Sequence, residues 1–366
     1  MKICTITCQN SVNHGARLQT YALATFLKKL GHDVEIIDFR PDFMTFQEKV
    51  WFWPGFSIKE WCKLFLQMHQ RRIAIRKYKK FCEFSKRFLP LTNKIYHSSE
   101  QLQQEPPLAD IYIAGSDQIW NTKFRNGTTP AYYLDFGDSG IKRISYAASF
   151  STTKLVKGTE TFVQEKLRRF DKITVREESG LNILHQLGLS GEVVLDPVFL
   201  LTANEWNQII DEQHTNKEDY ILVYDFMRSP TVKNIAQRLA KLHHCKIYAI
   251  SPFKASYAHK NFLEAGPPDF IKLIKNARCV ISNSLHGTVF AMIYQRDFFV
   301  IEREDELNDR MANILSKYNL SHRLIGRNVS NETLKKSINY HELDPLLKND
   351  IELSKDYLKK QITINK

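Results

Sequence analysis

The sequence lacks an apolar run long enough to cross a membrane, which would need about 18 consecutive residues. Its amino terminus also lacks the charged segment and long apolar core that together mark a secretory signal. The six cysteines are scattered without the spacing of metal ligands, so we expect reduced thiols and no metal site. These absences predict a cytoplasmic protein.

Two signatures of phosphate-binding loops are missing as well. The polar loop at 9–19 has neither the Gly-x-Gly-x-x-Gly spacing of dinucleotide-binding domains nor the Lys-Ser/Thr of ATP-binding loops. No zinc-finger spacing, RNA-recognition aromatic motif or helix-turn-helix pattern is visible either. The sequence therefore argues against a nicotinamide or ATP enzyme and against a nucleic-acid partner.

Positive charge, in contrast, is in excess: 52 Lys and Arg residues against 40 Asp and Glu give a formal net charge of +12. Such an excess favours an anionic partner, either a macromolecule, a membrane surface or a substrate. Much of it lies at 70–81, where basic and apolar residues are interleaved at helical spacing after an aromatic stretch at 51–56. This segment predicts either a peripheral contact with an anionic membrane or, as we favour, a helix that packs its aromatic stripe on the domain.

The order of apolar runs and helical patterns predicts an α/β protein with two Rossmann-like domains that face a central cleft. The 366 residues exceed one ordinary domain, and the 43% hydrophobic share is typical of soluble globular proteins. We predict an N-terminal domain at 1–197, a C-terminal domain at 198–330 and a helical tail at 331–366 that packs back on the N-terminal domain. Within the first domain, residues 42–107 form a mostly helical, aromatic and basic excursion.

The predicted strands lie in two groups. We place them at 3–6, 34–39, 111–114, 144–148, 172–175 and 193–195 in the first domain, and at 220–224, 245–250, 279–281 and 298–301 in the second. Helical patterns separate them, and Gly31 is positioned to end the first helix. Because strands and helices alternate, the sheets are expected to be parallel.

The most informative segment is 278–292, where an apolar run breaks into small polar residues and resumes with helical spacing. Ser284, His286 and Gly287 would then lie at the carboxyl end of a parallel strand, where the free N–H groups of a helix start bind anions. His286 can donate a proton near neutral pH, which suggests acid-assisted chemistry on an anionic substrate. A capped helix with a satisfied, buried histidine accounts for the same residues equally well.

Two other strand ends carry polar residues. The loop at 115–121 brings an acid, two amides and an indole together, a set that can bind a sugar; the alternative is a capped helix with a core tryptophan. Arg176 follows a later strand, where it could hold a carboxylate or phosphate with two hydrogen bonds or form a surface ion pair with Glu177 or Glu178. A cleft between two α/β domains would collect these loops.

Six motifs, taken in order, make the chain resemble the polysaccharide pyruvyl transferase family. They are Asn-His-Gly-Ala-Arg-Leu-Gln at 13–19, Gly-Ser-Asp-Gln-Ile-Trp-Asn at 115–121, Ser-Tyr-Ala-Ala-Ser-Phe at 145–150, Val-Arg-Glu-Glu-Ser-Gly at 175–180, Leu-Asp-Pro at 195–197 and Ser-Asn-Ser-Leu-His-Gly at 282–287. The resemblance implies a glycosyltransferase-B-like pair of domains that takes phosphoenolpyruvate as donor, with no metal or nucleotide cofactor. The product would be a pyruvyl ketal on a sugar diol of a surface polysaccharide or exopolysaccharide.

The reaction implied by this resemblance needs an acid, a base and a group that holds the anionic donor. One sugar hydroxyl attacks C2 of the enol phosphate while C3 gains a proton, phosphate leaves, and a second hydroxyl closes the ketal. On the matching motifs, His286 is the acid or stabilises the phosphate, and Asp117 is the base for the acceptor. The expected donor-binding residues are Arg176, Ser284, Gly287, Asn308 and Arg310.

One position departs from the family pattern. Well-studied branches of the family carry an arginine two positions before the histidine, where this chain has Ser284. Lys275, Arg303 and Arg310 lie near this motif in sequence, and we assign the missing charge to Arg310 in the family-like Asn308-Asp-Arg310. The acceptor is expected to be a saccharide, free or linked to a lipid or nucleotide, that is recognised by the excursion at 42–107. The motif residues assigned to acceptor binding are Asn13, Gly15, Gln19, Ser116, Gln118, Trp120 and Asn121.

Two other classes of function fit parts of the sequence. A nucleotide-sugar-dependent glycosyltransferase of GT-B-like fold could use the same cleft and the same anion-binding turn. A non-enzymatic sugar-binding or membrane-binding module would use the basic helix at 71–80 on anionic lipid, with the turn at 282–287 merely structural. Polar loops at the strand ends of both halves favour an enzyme.

Overall fold

Five parallel strands form the first sheet of the computed structural model, in the order β3-β2-β1-β4-β5. The structure describes residues 1–44, 58–211, 218–302 and 307–363, without the side chains of 58–67 and 307–310, so the predicted aromatic stretch at 51–56 lies outside it. The strands are β1 (Lys2–Ile6), β2 (Asp33–Phe39), β3 (Leu91–Tyr96), β4 (Ile111–Ala114) and β5 (Lys142–Ser145).

Strand β3 corrects the prediction that the excursion at 42–107 leaves the sheet. It pairs with β2 and forms the edge of the sheet. The prediction missed it because its six residues are only partly apolar and only partly buried, as suits an edge strand. Two short strands, β6 (Thr174–Val175) and β7 (Glu192–Val193), continue past β5 through the isolated bridges Ile144–Lys172 and Ala148–Val175.

Helix α1 (His14–Lys29) begins and ends where its sequence requires. The Asn13 side chain accepts a hydrogen bond from the Ala16 N–H at the first turn, and Gly31 adopts a left-handed backbone at φ 85° just past the last turn. The other helices of this half are α2 (Ile58–Phe88), α3 (Ser99–Gln104), α4 (Glu160–Leu167), α5 (Glu178–Gln186) and α6 (Ala203–Asn207).

The basic segment at 70–81 lies in α2 and packs on the C-terminal half. Arg76 Nη2 lies 2.6 Å from Glu264 Oε1, and Lys80 Nζ lies 2.8 Å from Asp269 Oδ2. The ring of Phe81 is fully buried. The structure therefore shows the favoured arrangement, a helix that packs its aromatic stripe inward. Among the described residues no helix is both long and apolar enough to span a bilayer.

The second sheet has six parallel strands in the order β10-β9-β8-β11-β12-β13. Its strands are β8 (Tyr220–Tyr224), β9 (Lys246–Ile250), β10 (Lys260–Asn261), β11 (Cys279–Ser282), β12 (Asp297–Ile301) and β13 (Leu324–Ile325). The helices of this half are α7 (Pro230–His243), α8 (Pro267–Lys275), α9 (Leu285–Ile293), α10 (Leu307–Lys317), α11 (Asn331–Lys335) and α12 (Tyr340–Ile362). In both sheets the strand order reverses beside the first strand, at β1/β4 and at β8/β11, which are the points where open α/β sheets bind ligands.

The last helix, α12, contacts both halves of the molecule. At its start, the Tyr340 hydroxyl donates to the Arg296 carbonyl at 2.7 Å. Further along, Ser354 Oγ accepts from the Leu195 N–H at 3.1 Å, and Lys142 Nζ donates to the Thr363 carbonyl at 3.1 Å. The tail thus packs back on the N-terminal domain, as the sequence predicts.

One apolar core runs through both domains rather than stopping at the boundary. Trp206, fully buried, joins the two sides. Its ring centroid lies 5.6 Å from that of Tyr21 on α1 and 5.0 Å from that of Phe290 on α9, and its Nε1 donates to the Val198 carbonyl at 3.1 Å. The relative position of the two sheets is therefore fixed by packing as well as by covalent linkage.

Replacing Trp206 by alanine tests this shared core. We expect Trp206→Ala to lower the free energy of unfolding by about 3–5 kcal/mol, because the lost burial leaves a cavity between the domains. Urea unfolding followed by circular dichroism measures the change, with Phe124→Ala, 59% exposed, as the control expected to change it by less than about 0.5 kcal/mol. Two separate transitions, only one of them shifted, would contradict a core shared by both domains.

Candidate active site

A cavity of about 310 Å³ lies between the carboxyl ends of the two sheets, at their points of strand reversal. The N-terminal half contributes residues that follow β1, β4 and β6, and the C-terminal half contributes residues that follow β8 and β11. Its walls are formed by Asn13, Asp117, Gln118, Arg176, Tyr224, Phe226, Asn283, Ser284, Leu285, His286 and Met311.

Asp196 links Arg176 to His286 beside this cavity. Its Oδ2 accepts a hydrogen bond from Arg176 Nη1 at 2.7 Å and lies 3.4 Å from His286 Nε2. Its Oδ1 accepts from the Val198 N–H at 3.1 Å, at the start of a 3₁₀ turn. All three ionisable side chains are at most 8% exposed. Arg176 does pair with Glu177, whose Oε2 lies 3.7 Å from its Nε, but this ion pair is buried and is not the surface ion pair that the sequence left open.

Arg176 and Asp196 each stabilise the ionised form of the other. Burial alone would raise the pKa of Asp196, but the facing His286 and Arg176 groups hold it well below its usual value. Burial opposes the charge of Arg176, yet Asp196 and Glu177 raise its pKa above the ordinary value. Glu177 is held in turn by Ser149 Oγ, which donates to its Oε1 at 2.7 Å. Arg176 and Asp196 therefore stay ionised across the working range of pH.

Helix α9 points its amino-terminal end at the cavity. Ser284 occupies the N-cap position with an extended backbone, but its side chain makes no capping hydrogen bond among the described residues. The N–H groups of the first turn of α9 are thus available to an anion. Gly287 is required here by packing, because a Cβ atom at this position would lie 2.4 Å from Ser282 Oγ.

Gly15, in the first turn of α1, lies directly against the His286 ring. A Cβ atom at position 15 would lie 2.0 Å from His286 Nδ1. The close approach brings the N-terminal half onto one side of the imidazole, while Asp196 faces its Nε2. The orientation of His286 therefore depends on a glycine of the other domain.

His14 connects the two halves next to this contact. One ring nitrogen, Nε2, donates to the Ala265 carbonyl at 2.9 Å, and Nδ1 accepts from the Tyr224 hydroxyl at 3.0 Å. Its ring stacks on Phe270 with a centroid distance of 4.9 Å. Burial, and to a lesser degree the charge of Lys77, lowers the pKa of His14 from 6.5 to about 3, so the imidazole is neutral.

A model of the family described as polysaccharide pyruvyl transferase matches residues 13–305. The chain belongs to this family. It is accordingly a transferase. No curated protein matches the sequence.

Solved structures of low sequence identity share the fold of this family member. A UDP-N-acetylglucosamine 2-epimerase from Rickettsia bellii is 14% identical, with a TM-score of 0.54 over 99% of this chain and 96% of the other. A putative UDP-N-acetylglucosamine 2-epimerase from Listeria monocytogenes is 12% identical, with a TM-score of 0.53 over 100% and 91%. At these identities the likeness concerns architecture alone: two Rossmann-like domains facing a cleft, as in the GT-B fold.

Asp117 and Gln118 line the cavity from the N-terminal domain, and His286 lines it from the C-terminal domain. Asp117 has a φ of 77°, which is uncommon for a residue with a side chain and marks backbone strain at this loop. Its Oδ1 accepts from the Gln118 N–H at 2.9 Å, and its backbone bridges to Ala148. Asn13 lines the cavity as well, although its side chain is already engaged in capping α1.

Four residues assigned to the acceptor are corrected by the structure, because they are buried away from the cavity. Trp120 is a core residue whose Nε1 donates to the Tyr132 carbonyl at 3.1 Å, the alternative left open by the sequence. Gln19 is fully buried and donates to Thr7 Oγ1 at 3.0 Å. Ser116 is fully buried, and Asn121, 3% exposed, donates to Gln118 Oε1 at 3.2 Å. They support the loops that carry Asp117 and Gln118.

The donor residues predicted outside the motifs remain predictions. The side chains of Asn308 and Arg310 lie outside the described residues, although their backbone is the first turn of α10. No group of three or more His, Cys, Asp and Glu side chains is arranged to hold a metal ion within the part of the chain that the structure describes.

Several residues of the site were not identified from the sequence, among them Asp196, His14 and Tyr224. Asp196 had a usable signal, since an aspartate before a proline directly after an apolar run is a typical start of a helical turn. His14 lies within a quoted motif but is distinguished only by its partners across the domain boundary. Tyr224 is the last residue of a buried strand and carries no local signal at all.

Enlarging Gly15 tests the contact with His286. We expect Gly15→Ala to shift the His286 imidazole signals in a ¹H–¹⁵N NMR spectrum and to lower the free energy of unfolding by about 1–3 kcal/mol, since the ring must move. Gly140→Ala is the control, because a Cβ atom there meets nothing within 4 Å. Unchanged His286 signals in Gly15→Ala would show that the contact is not made in solution.

His14 gives stability a dependence on pH. Because its pKa in the folded protein is about 3, only the unfolded chain takes up a proton as pH falls below 6.5. We expect the free energy of unfolding to drop by about 1.4 kcal/mol between pH 7.5 and 5.5 from this group. Urea titrations at both pH values should show that loss in wild type and in the exposed control His185→Gln but not in His14→Gln; an equal loss in His14→Gln would assign it to another group.

Proposed function

We propose that the protein transfers the enolpyruvyl group of phosphoenolpyruvate to a sugar diol, forming a pyruvyl ketal for a surface polysaccharide or exopolysaccharide. The observation that carries this proposal is the buried Arg176–Asp196–His286 chain beside the uncapped start of α9. It offers two separate binding groups for anions within one cleft, and phosphoenolpyruvate has two anionic groups, a phosphate and a carboxylate. Membership of the family supports the same donor.

The negative charges of the donor's phosphate and carboxylate suggest which residues bind each group. We assign its phosphate to the first-turn N–H groups of α9 and to His286, and its carboxylate to Arg176. Asp196 already occupies Nη1 of Arg176, and Nε lies 3.7 Å from Glu177, so Nη2 is the group left for the donor. Arg310 and Asn308 complete the donor site in this proposal, in place of the family arginine that Ser284 replaces.

The transfer uses one acid and one base, which come from different domains. A sugar hydroxyl attacks C2 and loses its proton to Asp117, while His286 supports protonation of C3. Phosphate then leaves, and a second hydroxyl adds to C2 and closes the ketal. Of the two hydroxyl protons, one ends on the new methyl group and the other on the released phosphate. No metal or other cofactor takes part in this scheme.

We propose that the protein acts in the cytoplasm. Its donor there is phosphoenolpyruvate, and its acceptor is a saccharide. A peripheral contact with an anionic membrane would have to use the exposed part of α2 around Arg72, because Arg76 and Lys80 are already paired within the protein. The acceptor sugar would enter the cleft beside Asp117, Gln118 and Asn13.

Calorimetric titration with phosphoenolpyruvate tests the donor, with UDP, GDP and CMP sugars as comparators. We expect selective binding of phosphoenolpyruvate, weakened about tenfold or more in Arg176→Lys and in His286→Asn, because each loses a charge-assisted hydrogen bond. Arg176→Lys keeps a cation beside Asp196, which avoids an unpaired buried carboxylate. The exposed His185→Asn is the matched control.

Binding of a nucleotide sugar alone would replace this proposal with the nucleotide-sugar glycosyltransferase. Binding of neither ligand, with the variants folded as judged by circular dichroism, would leave the sugar-binding or membrane-binding module as the remaining class. Equal affinity for phosphoenolpyruvate in wild type and both variants would remove Arg176 and His286 from the donor site.

A further inference from the structure

A second cavity, of about 700 Å³, lies between α2 and the carboxyl ends of β8 and β9. None of the six family motifs contributes to it. Because it adjoins the cleft but lies on the other side of the loop after β8, it can hold part of a ligand whose other end reaches the candidate active site. Its walls are formed by His69, Gln70, Ile73, Arg228, Ser229, Pro230, Lys233, Pro252, Phe253, Lys254, Ala255, Ser256, Tyr257 and Leu263.

The lining of this cavity carries positive charge without a compensating carboxylate. Arg228, Lys233 and Lys254 line it together with His69, and none of the described residues that line it is an Asp or a Glu. None of the carboxylates that the structure describes lies within salt-bridge distance of these three cations, whereas Arg76 on the neighbouring turn of α2 is paired. An unpaired group of cations around a concave surface favours an anionic ligand.

The loop after β8 holds one of these cations in place. Asp225 accepts hydrogen bonds from the Met227 N–H at 2.9 Å and the Ser229 N–H at 3.1 Å. Between them, Arg228 has a left-handed backbone at φ 53°, and its guanidinium carbon lies 4.6 Å from the centre of the Phe253 ring. The turn thus holds the Arg228 guanidinium over the Phe253 ring at the wall of the cavity.

The two cavities are close neighbours along this loop. Phe226 lines the candidate active site and Arg228 lines the second cavity, a separation of at most about 7 Å of chain. Phe226 is 40% exposed and Met227 is 59% exposed, so an apolar ridge separates them. A ligand about the size of a sugar with a linked phosphate group can lie across this ridge.

Lys77 is a further cation of α2, and it lies close enough to His14 for its charge to lower the pKa of that imidazole. It lies one helical turn after Ile73, which lines the second cavity, and one turn before Phe81, whose ring packs 5.1 Å from that of His14. Burial lowers the pKa of Lys77 to about 8, and no described carboxylate forms a salt bridge with it. A cation held in this position is stabilised when an anion binds beside it.

We propose that this second cavity binds the diphosphate group of an acceptor saccharide carried as a diphosphate ester, with the sugar reaching into the candidate active site. The inference rests on the proposed pyruvyl transfer, because it names how the acceptor is held. Three cations suit a diphosphate better than an uncharged sugar, and the Phe253 and Tyr257 rings offer apolar surface to whatever the diphosphate is linked to. A nucleoside diphosphate sugar and a polyprenyl diphosphate sugar share this chemistry.

Titration calorimetry with inorganic pyrophosphate, UDP-N-acetylglucosamine, farnesyl diphosphate and free N-acetylglucosamine tests the site. The variant is Lys233→Gln with Lys254→Gln, and the matched control is Lys241→Gln with Lys348→Gln, two exposed lysines outside both cavities. We expect pyrophosphate affinity to fall about tenfold or more in the variant and to change less than twofold in the control, since the charge-assisted contacts are lost in the variant alone. Phosphoenolpyruvate affinity should be the same in all three proteins.

Different outcomes would contradict the second binding site and the proposed function. Tighter binding of UDP-N-acetylglucosamine or of farnesyl diphosphate than of pyrophosphate identifies the nucleotide or the lipid as the carrier. Equal pyrophosphate binding in variant and control, or displacement of pyrophosphate by phosphoenolpyruvate, overturns the second site while leaving pyruvyl transfer intact. Failure of phosphoenolpyruvate to bind wild type overturns the proposed function, whatever pyrophosphate does.

Discussion

The carboxylate of Asp196 is the group on which the arrangement of the cleft depends. It lies at the end of the N-terminal domain, where the chain turns toward the second sheet, and it joins a guanidinium of its own domain to an imidazole of the other. Burial would otherwise favour its neutral form, so its charge is maintained by His286 and Arg176, and Asp196 in turn helps to keep Arg176 charged. Removing one member would leave an uncompensated charge in the interior. The cluster therefore stabilises the relative positions of the three loops that carry Arg176, Asp196 and His286.

That electrostatic link works because the domains are already held at a fixed separation. The shared apolar core around Trp206 and the neutral His14 bridge set the distance, and Gly15 allows the backbone of α1 to touch the His286 ring. A charged His14 would lose one of these two hydrogen bonds, because a protonated Nδ1 cannot accept from the Tyr224 hydroxyl, whereas Nε2 would still donate to the Ala265 carbonyl. Packing therefore sets the positions of the site residues, while their surroundings keep Arg176 and Asp196 charged and His14 neutral.

Much of this architecture could be predicted from local pattern, and the exceptions have physical reasons. The strands at the centre of both sheets are short apolar runs, so periodicity found them, whereas the edge strand β3 is half exposed and lies beside a long helix. Polar residues at strand ends pointed to the cleft, but the pattern could not separate Asp117, which lines it, from Trp120 three residues later, which is core. That distinction depends on Tyr132 and Tyr133, residues brought into contact only by the tertiary fold.

The helix that contacts both domains is made after the strands of both sheets. Both sheets are complete in sequence by residue 325, yet α12 begins at Tyr340 and reaches Lys142 only at its far end. During synthesis, the strands of both sheets are therefore made before this helix. The shared core around Trp206 and the His14 contacts can join the two halves first, and α12 adds its contacts to both of them only afterwards.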